Sequence, residues 1–219
     1  IDKKRFRGFK EKAKFLKGQK RQGCLNVSSA IILNAFGLLG TQFQSSIDAS
    51  LSLLTNKVFN VIKNFSQVPL ISNIPDLIKL RNTKNFILAF KEFLKLHKIS
   101  IFLFVVFSSM NYVFFSIVEI HYSSYIYLNH IYFLYFCILL LELNHSGFSQ
   151  FYLTRNHIPF LIPSILSGIS IIIIGWYIGQ IYGALGLILA QGLVQLLFNN
   201  WYPVFLVYKE VNFEKNYHL

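Results

Sequence analysis

Residues 99–118 read ISIFLFVVFSSMNYVFFSIV, twenty positions without a single charge. A helix of about twenty mostly apolar residues crosses the hydrocarbon core of a bilayer, so this stretch reads as a membrane span. Working outward, comparable segments run near 23–43, 47–68, 122–143, 159–178 and 182–207. Residues 167–178, SGISIIIIGWYI, are close to pure hydrocarbon, whereas the first two segments carry scattered Asn, Ser, Thr, Gln and Lys. The pattern predicts an all-α polytopic bundle of six spans over 23–207.

Composition points the same way. Hydrophobic residues make up 54% of 219 and charged residues 14%, against roughly a quarter charged in soluble domains. The net charge of +12 would suit nucleic acid, but the basic residues flank apolar segments and no nucleic-acid reading module accompanies them. Anionic lipid headgroups are the expected counter-charge. Cys24 and Cys137 fall at different depths of different spans, so no disulfide is expected. The chain begins with Ile1, and Met110 is its only methionine. It reads as a fragment of a longer protein, with no signal peptide at its start.

The gaps set the topology. Segment 1–22 holds ten Lys and Arg in its first twenty-one positions, and loop 76–98 holds Lys79, Arg81, Lys84, Lys91, Lys95 and Lys98. The connection 144–158 adds Arg155 with His145 and His157, and the tail 208–219 adds Lys209 and Lys215. The alternate gaps hold Asp48, Glu119 and His121 without Lys or Arg. Cytoplasmic loops are the basic ones, so both ends are expected in the cytoplasm. Phe6, Phe9, Ala13 and Leu16 recur at helical spacing, as do Phe86, Phe90, Phe93 and Leu94. The two basic segments therefore read as amphipathic helices lying on the inner leaflet.

Polar residues inside the spans carry the functional reading. Segment 47–68, IDASLSLLTNKVFNVIKNFSQV, places Ser52, Asn56, Asn60 and Lys63 in one helical stripe, widened by Lys57 and Asn64. A lysine inside a membrane costs a few kcal/mol unless it is paired or hydrated. Glu119 and Glu142 sit at span ends, so Lys57 and Lys63 have no evident carboxylate partner in this chain. A hydrated cavity holding an anion would supply one, with Asn56, Asn60, Asn64 and Asn34 bonding its polar groups. Three simpler readings stand beside this one. Lys63 could snorkel its ammonium to the headgroups, partner carboxylates could lie in a missing half, and the asparagines could only bridge helices.

Pro69 and Pro75 each remove a backbone donor and mark candidate hinges, and Pro159 and Pro163 interrupt the fifth span. Gly175, Gly179, Gly183, Gly186 and Ala190 allow close helix approach, with Gly179 and Gly183 better read as the turn between the last two spans. Asn199 to Pro203 reads as an interfacial anchor or a helix irregularity. The histidines are dispersed without metal-ligand spacing, and His130 reads as a hydrogen-bonder in the bundle. No catalytic constellation, nucleotide-binding loop or cofactor motif is present, so an enzyme is not expected.

The stretches LLTNKVFNVIKNFSQVPLISNIPDLIKLRN (53–82), HSGFSQFYLTRNHIPFLIPSILSGI (145–169) and GLILAQGLVQLLFNNWYPV (186–204) resemble polysaccharide and O-antigen flippases of the multidrug/oligosaccharidyl-lipid/polysaccharide exporter superfamily. The likeness covers most of 23–207 through loose motifs. It implies the second of two six-helix halves around a central cavity, and alternating access that exports undecaprenyl-diphosphate-linked glycan across the inner membrane. It places no family cation on Lys57 or Lys63. A drug exporter of the same superfamily would favour buried carboxylates over lysines. A membrane-embedded glycan polymerase or transferase would need larger outer loops.

Overall fold

A computed structural model of the protein describes residues 39, 42, 46–83, 85–121, 130–155 and 159–217. Helix α1, Ser46–Ser72, buries Ala49, Ser52, Thr55, Phe59, Ile62, Lys63, Ser66, Gln67 and Leu70. These recur at three- and four-residue steps, one face of a helix. Leu54, Val61, Phe65 and Val68 point outward. Pro69 lies in the last turn, and the helix stops at Asn73, whose Nδ2 donates to the Pro69 carbonyl oxygen at 2.8 Å. Pro75 then sits in the first turn of α2, Ile74–Asn82, where a missing N–H costs nothing. The two candidate hinge prolines thus flank one break.

Helix α3, Phe86–His121, is continuous for 36 residues, about 54 Å at 1.5 Å per residue. The interfacial helix expected in 76–98 is not a separate element, because residues 86–98 are continuous with 99–118. Phe86, Ala89, Phe90 and Phe93 are buried against Phe148, Phe151, Val207 and Val211. Their helical spacing is as read from the sequence. The partner differs, being protein where lipid was expected, and periodicity does not distinguish the two. The other basic segment, 1–22, and nearly all of the first span, 23–43, fall outside the described residues.

Helix α4, His130–Leu153, is the hub and packs against α1, α3, α6 and α7. It runs ten residues past the expected end at 143, so most of the expected 144–158 connection is helix. Within that stretch Asn144, Ser146 and Gln150 bond residues of neighbouring helices. Helices α5, Leu161–Tyr182, and α6, Ala184–Val194, form a hairpin. Its turn is Gly183 at φ 57° and ψ −129°, with the Gly183 N–H donating to the Gly179 carbonyl. That conformation is open to glycine and strained for other residues. Across the hairpin Gly186 lies against the Ile178 carbonyl, leaving no space for a Cβ. A π-helical turn, Gln195–Asn199, leads into α7, Trp201–Tyr217. The Trp201 Nε1 donates to the Leu196 carbonyl oxygen at 2.9 Å.

The described residues are all-α. Four stretches, Phe86–Glu119, His130–Leu153, Ile162–Tyr182 and Ala184–Glu214, are long and apolar enough to cross a membrane. Large apolar side chains such as Phe102, Phe133, Ile162, Ile181 and Leu197 project outward. This suits a membrane-embedded bundle whose solvent is lipid. Inside, one cluster gathers Phe93, Phe148, Phe151 and Leu70 near α2, and a second gathers Phe59, Phe104, Tyr135 and Leu139 toward the opposite end.

Candidate functional site

The buried face of α1 meets α4 through polar pairs. Ser52 Oγ lies 3.3 Å from Tyr135 Oη, Lys63 Nζ donates to Glu142 Oε1 at 2.6 Å, and Gln67 Nε2 donates to Ser146 Oγ at 2.9 Å. The paired positions rise together along both helices, so α1 and α4 run parallel.

Lys63 does not snorkel and does not lack a partner. Its side chain is 10% exposed and that of Glu142 is 22% exposed. The second Glu142 oxygen accepts from Gln191 Nε2 of α6 at 3.1 Å. The expectation that the chain offers Lys63 no carboxylate is therefore overturned. Glu142 lies in mid-helix because α4 continues beyond it. A short charge-assisted bond between partly desolvated groups satisfies the lysine within the bundle.

Next to this triad, His97 of α3 sits 3.1 Å from Asn144 Oδ1, and Asn144 Nδ2 donates to Asn200 Oδ1 at 2.9 Å. Asn200 closes the π-helical turn, its N–H donating to the Gln195 carbonyl oxygen. His97 stacks on Phe93 with ring centroids 5.4 Å apart and rests against Gly147, whose missing Cβ leaves room for the imidazole.

At the end of the bundle near α2, Arg81 enters between the Phe86 and Phe151 rings, with its guanidinium carbon 5.0 and 5.4 Å from their centroids. Its terminal nitrogens reach the Phe151 carbonyl oxygen, Thr154 Oγ1 and both oxygens of Glu210. Arg155 Nε adds a second ion pair to Glu210 at 3.2 Å. One carboxylate thus ties α2, α4 and α7, and leaves a net positive charge there.

The remaining candidate residues separate in space. Lys57 and Asn64 are exposed, and Asn56 and Asn60 are half-buried. Asn60 Nδ2 donates to the Asn56 carbonyl oxygen at 2.9 Å and lies 3.0 Å from Asn56 Oδ1, so the two amides are tied to each other. Lys57, Asn60 and Asn64 follow at three- and four-residue steps, a strip about 10 Å long on the border of the outward face. Lys57 forms no ion pair with any described residue. Its ammonium is the one in α1 left for an external anion. The stripe read from the sequence as a single cavity wall is therefore two surfaces, with Lys63 turned inward and Lys57 outward. Asn34 lies outside the described residues, and Cys137 is a free thiol.

Gln191, Asn144 and His97 were not singled out from the sequence, Glu142 was set aside as a span-end residue, and Asn200 was read only within the run Asn199 to Pro203. The available signal was Glu142, Ser146 and Gln150 at four-residue steps, which continue a helix. No group of His, Cys, Asp and Glu among the described residues could hold a metal ion. Compared with family models, curated proteins and solved structures, the chain finds no match.

Proposed function

We propose that the chain is one half of a transporter that moves an anionic, lipid-linked oligosaccharide across a membrane by alternating access. The observation that carries this reading is Lys57, an exposed ammonium with Asn64 two turns away, on the outward face of a helix whose other face packs into an apolar bundle. An ammonium at such a face has to be offset by water or by an anion, and a diphosphate supplies the charge while amides bond sugar hydroxyls. Lys63, already neutralised by Glu142, holds α1 to α4 in this scheme and does not bind substrate directly. The missing partner half would complete the cavity. The break between Ser72 and Ile74 would let α1 move against α2, with no covalent step.

The six-span topology with both ends cytoplasmic belongs to the same proposal. It is supported by the gathering of Arg81, Arg155 and Lys79 at one end of the bundle. In the full-length protein Lys57→Gln should abolish surface glycan and accumulate lipid-linked product on the inner leaflet, while Lys57→Arg retains export. Normal surface glycan in Lys57→Gln cells would overturn the reading. Drug sensitivity in place of glycan loss in a deletion strain would favour a drug exporter.

A further inference from the structure

Helix α3 has two sharply different faces. Phe90, Phe93, His97 and Ser100 are buried in the bundle, whereas Lys91, Lys95, Lys98 and Phe102 are exposed on the opposite side. Both series advance by three and four residues, so each is one face of a single helix. The outward face changes character at one point. It is lysine as far as residue 98 and hydrocarbon beyond, continuing through Phe102, Val105 and Val113.

Depth gives that change a meaning. From Ile99 to Glu119 the helix rises about 30 Å, the thickness of the hydrocarbon core of a bilayer. The headgroup layer adds about 5–7 Å on each side. Lys98 and Lys95 lie about 2 and 6 Å past Ile99, within that layer, and Lys91, about 12 Å past it, lies beyond. The other end of the span carries Glu119, and His130 is exposed at the start of α4, not inside the bundle as the sequence suggested. Both lysines are available. Lys98 forms no ion pair with a described residue. Lys95 meets Glu92 at 4.0 Å with its own side chain 70% exposed, a contact too solvated to neutralise it. The other cations of this end are paired or too distant. Arg81 and Arg155 share Glu210, and Lys79 faces Asp76. Tyr208 packs on Phe90 at 5.5 Å, which puts the neighbouring Lys209 about 13 Å past Ile99.

We propose that Lys95 and Lys98 bind the phosphate of one anionic phospholipid, with an acyl chain laid along Phe102 and Val105. The two lysines are about 4.5 Å apart along the axis, so their flexible stems can converge on a single phosphate. Two cations select a headgroup with net negative charge, because a zwitterionic lipid brings its own cation to the same phosphate. The source of the phosphate follows from the next turn of the face. A soluble phosphate would engage the ammonium groups alone and leave Phe102, 67% exposed, without a partner, whereas a lipid covers both. The assignment needs only that α3 spans a bilayer and does not rest on the transport reading.

Native mass spectrometry of the full-length protein in detergent micelles, titrated separately with phosphatidylglycerol and phosphatidylcholine, resolves each bound lipid. The first phosphatidylglycerol should bind at least about tenfold more tightly than the first phosphatidylcholine, given two lysines at headgroup level. Lys95→Gln/Lys98→Gln should remove that preference, and Lys95→Arg/Lys98→Arg should keep it. Lys79→Gln/Lys209→Gln, which deletes the same charge outside the headgroup layer, should leave it within about twofold. All four side chains are exposed, so every variant should melt within a few degrees of the parent. Equal affinity for the two lipids in the parent, or an equal loss in Lys79→Gln/Lys209→Gln, would overturn the site. Displacement of phosphatidylglycerol by soluble glycerol phosphate would overturn it in favour of a free-phosphate site. Loss of a dimer in Lys95→Gln/Lys98→Gln with the lipid preference unchanged would make the face a contact between copies of the chain.

Discussion

Glu142→Gln isolates the buried ion pair. The substitution keeps the size of the side chain and its contact with Gln191 while deleting the charge that faces Lys63 Nζ at 2.6 Å. The Lys63 side chain is 10% exposed, so its ammonium has little water to replace the lost carboxylate. Breaking a buried pair on one side costs about 3–5 kcal/mol. The 22% exposure of the Glu142 side chain places this case near the lower figure, about 3 kcal/mol or two orders of magnitude in the folding equilibrium. Lys63→Met alone should cost less, because Glu142 retains Gln191 and some solvent. The double variant Lys63→Met/Glu142→Met should recover most of the loss, since apolar replacement of a buried pair is often neutral. Unfolding of the full-length protein in mixed micelles, titrated with a denaturing detergent, compares these variants, and adding Glu142→Met supplies the fourth corner of the cycle with the parent, Lys63→Met and the double variant. A loss below about 1 kcal/mol in Glu142→Gln, or a double variant as unstable as the sum of the singles, would refute the pairing as the reason Lys63 is tolerated.

Glu210→Gln removes the carboxylate shared by Arg81 and Arg155 and should destabilise the end of the bundle near α2 by about 3 kcal/mol, read as faster proteolysis between α2 and α3. Gly147→Ala brings a Cβ to 2.5 Å from His97 Nδ1, and the ring is held by Phe93 and Phe148. The expected cost is about 1–3 kcal/mol, and His97→Ala in the same chain should relieve it in a thermal melt. Gly183→Ala should cost about 1–3 kcal/mol through backbone strain at positive φ, read as a lower midpoint in a thermal melt. Lys57→Gln should leave stability within about 0.5 kcal/mol while glycan export fails; a comparable loss of both would make Lys57 a structural residue.

Helix type, spacing and the interruptions were legible in the chain because they depend on local chemistry. The charge-free run 99–118 had to be helical to satisfy its backbone inside lipid. Pro69 and Pro75 had to bracket a break, and Gly183 was the residue able to take the hairpin turn. The burial of Phe86, Phe90 and Phe93 was legible as a stripe. Its partner was not, because lipid tails and protein side chains impose the same periodicity. The reach of α4 was misjudged for a related reason. Asn144, Ser146 and Gln150 are polar enough for a loop, yet they lie in a helix and find hydrogen-bond partners in α1 and at the α6–α7 junction.

The candidate site divides along the same line. Sequence alone determined that α1 carries two lysines beside one polar stripe, because a 3.6-residue repeat fixes which residues share a face. The tertiary structure decided that the two lysines have different surroundings. Lys63 faces Glu142 because α1 and α4 run parallel at a register that brings positions 79 residues apart together, while Lys57, about 120° around the helix, points away from that contact. The depth, partner and hydration of a charge are properties of packing between segments distant in the chain. No window of sequence contains them.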